Sequence, residues 1–432
     1  MTLTGNSSRG LLGTTLGFFF GFAAVALYGP TAIKFKEAMN LTPALLGLLI
    51  AIPSLSGSLL RIPFGAWVDT TGGKKPFFIL LLLSVIGLGG VTFLLYTSYP
   101  DGMQGMYGLV LLFGFLSGCG IATFSVGIGQ TSYWFPRKRQ GFALGTFAGI
   151  GNLAPGIFSL ILPLYLTAYG FISAYFAWFL FLLAGTILYG IIGINAPYFQ
   201  YRKAGLSESD AKEKASEKGQ EIFPSGGVKD SLLNSAKVKN TWALVVLYFT
   251  TFGGFIALTA WFPTYWNEYQ SFAPVKAGLF TAIFSILASA VRVPGGTIAD
   301  KFGGEKIALI SMVAILVAAA ILSFAATIPL SIVAVLLLAS GMGIANAAIF
   351  KLVPVYVPDA VGGAAGWVGG LGAFGGFALP PVMGAIAGKL GAIGYARGFI
   401  VFVVLAFINL LIIYLLINNR KKAESTRTDH AV

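Results

Sequence analysis

The sequence predicts an all-α membrane protein of twelve transmembrane helices arranged as two six-helix halves. Three observations predict it: charge is scarce, apolar residues come in runs that match a bilayer, and one residue pattern occurs twice. Of 432 residues, 56% are hydrophobic and 10% charged, where a soluble domain carries about 25% charged residues. The runs are about 20 residues long, enough to cross a hydrocarbon core as a helix, and a helix satisfies its own backbone hydrogen bonds there. The alternating segments of about ten residues that mark a membrane β-barrel are missing. The 57 glycines, costly in soluble helices, let helices approach closely in lipid. Cys119 is the single cysteine and lies inside an apolar run, so no internal disulfide forms.

Taken in order, the runs are Leu11–Tyr28, Leu45–Val68, Phe77–Leu95, Tyr107–Tyr133, Phe142–Leu166, Ala174–Ile194, Trp242–Trp261, Ala277–Ala299, Ile307–Ala326, Leu330–Val353, Val361–Ala387 and Tyr395–Ile417. Between the sixth and seventh, Tyr201 to Lys239 is rich in Lys, Glu, Ser and Asp and reads as a solvated linker with one short surface helix. The expected organisation is an N-terminal half at 1–200, a linker at 201–240, a C-terminal half at 241–420 and a tail at 421–432. Arg9 is the one basic residue before the first span, which is long and reads as retained rather than cleaved.

Lysine and arginine set the expected orientation. With both termini cytoplasmic, the N-terminus (Arg9), inner loops, linker and tail hold 20 basic residues and the outer loops five: Lys34, Lys36, Lys276, Lys389 and Arg397. This is the positive-inside pattern of a multi-pass protein in the cytoplasmic membrane. The net charge of +13 thus reads as a topology signal rather than nucleic-acid binding.

The repeat lies in the second and eighth spans. Arg61-Ile-Pro63-Phe-Gly65-Ala-Trp-Val-Asp69 matches Arg292-Val-Pro294-Gly-Gly296-Thr-Ile-Ala-Asp300 at an offset of 231. In the fifth and eleventh, Gly141, Gly145, Gly149 and Gly151 match Gly362, Gly366, Gly370 and Gly372 at an offset of 221. Two matches in the same order describe a parallel repeat, an arrangement that places a transported ligand between the halves near mid-membrane. Each aspartate leads into a basic turn, Gly72-Gly73-Lys74-Lys75 after Asp69 and Lys301-Phe-Gly303-Gly304-Glu-Lys306 after Asp300. These turns resemble the loop signature of the major facilitator superfamily. The resemblance implies that fold and a cytoplasmic gate formed by Asp69, Lys74, Lys75, Asp300, Lys301 and Lys306, the aspartates facing helix N-termini where a carboxylate is favoured. The first copy departs from the signature at Thr70, where a basic residue is usual. Simple interfacial anchoring is the other reading of these charges.

Twenty and five leave three basic residues, Arg61, Arg292 and Lys351, inside predicted spans that hold no Asp, Glu or His. A charge at the bilayer centre costs about 2.5–3.5 kcal/mol on insertion scales and usually has a partner. With no carboxylate in the spans, the partner expected is an anion from outside. Guanidinium binds oxyanions bidentately and stays charged, so a pair at equivalent repeat positions suits a small planar oxyanion. Snorkelling to the inner surface is the competing reading for both arginines, and more so for Lys351 near the inner end of its span. The lack of an embedded carboxylate or histidine favours exchange or downhill movement over a protein-borne proton relay, and leaves symport with a proton carried by the ion or water open.

Gly145-Thr-Phe-Ala-Gly149-Ile-Gly151-Asn152 and Gly366-Trp-Val-Gly-Gly370-Leu-Gly372 resemble the two signatures of the nitrate/nitrite porter family, and Phe350-Lys351-Leu-Val-Pro354 resembles a further segment of it. The resemblance covers nearly the whole chain. It implies that Arg61 and Arg292 hold nitrate or nitrite, that Asn152 hydrogen-bonds near it, that Tyr248 offers a hydroxyl, and that Phe124 and Phe252 sandwich the flat ion. Lys351 joins the expected substrate residues. Close helix packing explains the glycines equally well, and packing or lipid contact explains most of the 37 phenylalanines. The chain departs from the family at Ala154-Pro155, where glycine is frequent, and proline there is expected to kink the helix.

The reading reached is a secondary transporter, not an enzyme, moving nitrate and/or nitrite by alternating access, with no cofactor and no metal. Its expected partners are the anion, protons if coupling is symport, and the lipid bilayer; a monomer suffices. The alternatives are the same fold carrying formate, oxalate or a short monocarboxylate, and an anion-sensing protein that signals through its linker or tail.

Overall fold

The computed structural model describes residues 3–136, 139–224, 228–324, 327–357 and 361–429. Among them twelve helical stretches are long and apolar enough to cross a membrane. They are Ser7–Met39, Pro43–Thr71, Lys74–Ser98, Tyr107–Ser132, Phe142–Tyr169, Phe171–Ile192, Lys239–Glu268, Pro274–Phe302, Gly304–Phe324, Ile328–Tyr356, Gly363–Leu390 and Ala392–Arg420. The even number puts the start of the first span, the linker and the end of the twelfth span on one face, the linker face. The opposite one is the far face. Arg137, Lys138 and His430 lie outside the described residues.

Several spans run past the ends of their apolar runs, because a charge that ends hydrophobicity does not end a helix. The first continues through Lys34, Lys36 and Glu37 to Met39, where Asn40 takes a left-handed φ of 51° and stops it. The eighth reaches Phe302 and so includes Asp300, which the sequence reading left outside. The stretch before the seventh span holds more than the one surface helix expected: Pro197–Lys203, Glu208–Glu217 and Val228–Ala236 are all helical. Local signals explain the second of these. Ser207 caps it by accepting the Asp210 N–H at 3.1 Å, and Lys212 pairs with Glu208 one turn away at 2.7 Å. The third packs on the eleventh span, where the Trp367 indole donates to the Leu232 carbonyl at 3.0 Å.

Prolines break the spans at one level. A proline cannot donate to the carbonyl four residues earlier, and its ring crowds that carbonyl. Helices end at Leu59, Ala290 and Gly151, each four residues before Pro63, Pro294 and Pro155. New helices begin at Arg61, Arg292 and Ala154. Both repeat arginines therefore open a half-helix, and Asn152 lies in the break of the fifth span. The seventh span breaks without proline, through a π-turn at Phe249–Gly253, a feature that collects at functional sites. The fourth tightens into a 3₁₀ turn at Cys119–Ala122, two residues before Phe124.

The halves meet closely at the far face. A Cβ on Gly29 would stand 2.2 Å from the Ala260 carbonyl oxygen, one on Gly47 2.5 Å from that of Pro380, and one on Gly278 2.2 Å from that of Ser159. Lys36 at the end of the first span pairs with Glu268 at the end of the seventh at 2.6 Å. Toward the linker face the fifth and eighth spans part. A Cβ on Gly145 or Gly149 would meet nothing within 4 Å, and a groove of about 460 Å³ runs between Thr146 and Gly149 on one side and Ser289 and Val293 on the other. Gly278→Ala, which forces backbone apart at the closed face, is expected to cost about 1–3 kcal/mol, read as a lower thermal midpoint of the detergent-solubilised protein. An unchanged midpoint would show that the two spans separate there without cost.

Candidate functional site

The broken spans bring one cluster together. Arg61 is 2% exposed. Its Nε donates to the Gly57 carbonyl at 3.1 Å and its Nη1 to the Gly369 carbonyl of the eleventh span at 3.0 Å. Its Nη2 is buried with no partner. The guanidinium carbon lies 4.9 Å from the ring centroid of Phe124 and 5.2 Å from that of Phe252. Arg292, half-buried, reaches the same Phe252 ring at 5.6 Å and donates from Nη2 to the Tyr248 hydroxyl at 3.2 Å. Two guanidinium groups thus share one aromatic ring. Among the described residues neither forms an ion pair with a carboxylate.

Aromatic contacts hold the ring positions. Tyr248 and Phe252 stack at 5.0 Å across the π-turn, which sets residues four apart onto the cluster. Phe350 of the tenth span meets Tyr248 edge-to-face at 4.8 Å, and Phe18 of the first span lies 5.3 Å from Phe124 and 5.0 Å from Phe147. Such pairs contribute about 0.5–1.5 kcal/mol each beyond their burial. Asn152 is 2% exposed, its backbone carbonyl accepts from Ser289 at 3.2 Å across the two halves, and its Oδ1 has no partner. The arrangement supplies fixed positive charge, free hydrogen-bonding capacity and flat apolar walls, the combination that suits a small planar anion.

The Major Facilitator Superfamily profile matches residues 14–380, and again 272–431. A protein of Thermus thermophilus named "Probable nitrate/nitrite antiporter NarK1" is 30% identical over 397 residues, covering 85% of this chain and 83% of its own length. The chain belongs to the major facilitator superfamily, in its nitrate/nitrite porter family. The "Nitrite extrusion protein" of Bacillus subtilis is 28% identical over 422 residues, 97% of each chain. A "Probable nitrate transporter NarT" of Staphylococcus epidermidis is 30% identical over 372 residues, 85% of this chain and 86% of that one. Among solved structures, the xylose transporter XylE of E. coli superposes with a TM-score of 0.71 at 15% identity, covering 95% of this chain and 99% of that one. That likeness concerns the fold. Family and fold together make the chain a multi-pass membrane transporter.

Two features expected of the site take a different form in this conformation. Lys351, grouped with the arginines from the sequence, pairs with Asp300 at 2.6 Å and donates to the Ala299 carbonyl at 2.9 Å. The longer eighth span supplies the carboxylate that the apolar run had excluded. Second, the centroids of Phe124 and Phe252 stand 6.0 Å apart, short of the roughly 7 Å that a flat ion in contact with both faces requires. In this conformation the Arg61 guanidinium covers the rings, and an ion enters between them only if they part.

The gate residues are held within their own halves. Asp69 accepts from the Tyr133 hydroxyl at 2.5 Å. The Lys74 N–H donates to Asn195 Oδ1 at 2.8 Å, Lys75 lies over Trp67 at 5.6 Å, and Lys301 over Phe302 at 5.3 Å. Lys306 is exposed. The signature glycines divide. Gly145 and Gly149 face the open groove, whereas Gly151 packs on Phe18, Gly370 on Ile62 and Gly372 on Tyr248; Gly366 meets Leu232 of the linker helix. Sequence reasoning missed Phe18, Phe147 and the contact of Phe350 with Tyr248, which nothing distinguishes from lipid-facing phenylalanines before the helices are packed.

Proposed function

We propose that this porter moves nitrate and/or nitrite across the cytoplasmic membrane by alternating access, the anion held between Arg61 and Arg292. The linker face is assigned to the cytoplasm, in keeping with the excess of Lys and Arg there. The observation that carries the reading is the unpartnered Nη2 of a fully enclosed Arg61 beside a second arginine. A buried guanidinium N–H left without an acceptor is costly, and an incoming oxyanion repays that cost while cancelling the repulsion between the two cations. The relatives named as nitrate and nitrite carriers favour those ions over other oxyanions.

Exchange is the coupling that best suits the site. Asp69 and Asp300 lie at the linker ends of their spans, each held by a neighbour, and neither sits beside the arginines. Without an anion the paired cations resist passage through the closed state, so each reorientation carries an ion. On this reading the gate turns close over the linker face while the Lys36–Glu268 pair opens.

The test is uptake of labelled nitrate into liposomes containing the purified protein, loaded with nitrite, nitrate, formate or no anion. Nitrate entry that needs internal nitrite or nitrate and disappears in Arg292→Ala is the expected result. Formate or oxalate exchange without nitrate or nitrite movement would contradict the assignment and move it to organic anions. Lys351→Met is expected to leave the nitrate affinity within about threefold of wild type, because its partner is Asp300 and exposed pairs contribute little. An affinity loss matching that of Arg292→Ala would return Lys351 to the site.

A further inference from the structure

Met342, Asn346 and Phe350 are spaced by four on one face of the tenth span. Both ends of this stripe touch the seventh span. The Met342 Cε lies 3.0 Å from the place of a Cβ on Gly254, and Phe350 meets Tyr248 edge-to-face at 4.8 Å. Asn346 stands between them, on the face of the tenth span that packs against the seventh, whose π-turn Phe249–Gly253 carries Phe252. It is 3% exposed, and its Oδ1 is buried with no hydrogen-bond partner. Its neighbours Ala345, Ala348 and Ile349 are buried and apolar. Packing alone gives no reason for an amide here, since an unpaired buried amide destabilises the fold and an apolar side chain would not.

A ligand would give a reason. A trigonal oxyanion offers three oxygens, and two guanidinium groups address its charge and two of its edges. A neutral carboxamide adds N–H donors without adding charge, and turns about χ2 to present them. We propose that Asn346 is a specificity-determining residue of the anion site, donating from the C-terminal half to the oxygen that nitrate has and nitrite lacks. The proposal rests on the nitrate/nitrite reading above and goes beyond it in assigning the preference between the two ions to one side chain. Asn152, from the opposite half, faces the ion whichever of the two is bound.

The experiment is titration of nitrate and of nitrite into the purified full-length protein in detergent, read by the anion-induced shift of the thermal midpoint. Wild type, Asn346→Leu, Asn346→Ser and Asn346→Asp are compared. A hydrogen bond to a charged group corresponds to roughly a 10- to 100-fold change in affinity. Asn346→Leu is therefore expected to weaken nitrate by that factor, to leave nitrite within about threefold, and to keep or raise the midpoint without anion. Asn346→Ser, smaller and tolerated where Leu is not, is expected to lower the nitrate preference in the same direction. Asn346→Asp is expected to abolish binding of both ions, because its carboxylate takes the place of the anion beside the guanidinium groups. Nitrate affinity kept within twofold in the Leu and Ser variants would overturn the proposal. So would an equal loss of both ions together with a lowered ligand-free midpoint, the mark of a packing role. A wild type that responds to neither ion would overturn the nitrate/nitrite reading itself, and the assignment of Asn346 with it.

Discussion

Arg61→Lys should reduce nitrate exchange by about two orders of magnitude or more, although it preserves the charge. The guanidinium at this position is used in three directions at once. Nε and Nη1 are fixed on the Gly57 and Gly369 carbonyls, and Nη2 is buried without a partner. A lysine ammonium is a point charge on a flexible stem and cannot span two backbone carbonyls while presenting a third, directed N–H. Losing one partner of a buried, hydrogen-bonded charge pair costs about 2–5 kcal/mol, which sets the size of the effect. The measurement is initial-rate exchange in liposomes at several nitrate concentrations, with the thermal midpoint as a control for folding. Exchange by Arg61→Lys within fivefold of wild type would place the anion elsewhere.

Gly149→Leu is expected to separate binding from transport. In the present conformation a side chain at Gly149 projects into the groove between the fifth and eighth spans, with nothing within 4 Å of its Cβ. The protein should therefore fold and bind nitrate within about threefold of wild type. In the proposed alternating-access cycle, turnover requires the linker-face ends of these spans to approach as the far-face ends do now, where Gly278 leaves 2.2 Å between a hypothetical Cβ and the Ser159 carbonyl. A leucine blocks such an approach, so exchange should fall at least tenfold. The decisive readout is this contrast between nearly normal affinity and lost rate. Rapid exchange by Gly149→Leu would mean that the groove does not close during the cycle.

The fold was legible because lipid imposes a strong constraint. Twenty-residue apolar runs, the Arg-Pro-Gly-Asp repeat and the glycine series were enough for twelve spans and two halves. Span ends were less legible, since the helix at Lys34 to Glu37 and the one reaching Asp300 continue through charges that close a hydropathy window. The breaks beside Arg61, Arg292 and Asn152 can be read from Pro63, Pro294 and Pro155 by counting back four residues. The π-turn of the seventh span carries no such mark, and so the stacking of Tyr248 on Phe252 needed the structure. The arginine pair was visible as charge without an internal partner. Lys351 looked the same, and only the reach of Asp300 across to the tenth span separates it from the arginines. Asn346 was invisible in the sequence, because its significance lies in the hydrogen bonds it lacks.

The most direct test of the central claim is a structure determined with saturating nitrate. The account predicts planar density within hydrogen-bonding distance of Arg61 Nη2 and the Arg292 guanidinium, with the rings of Phe124 and Phe252 parted beyond their present 6.0 Å. Density at Lys351 or in the groove beside Gly149, with the two arginines unchanged and the rings still in contact, would contradict it.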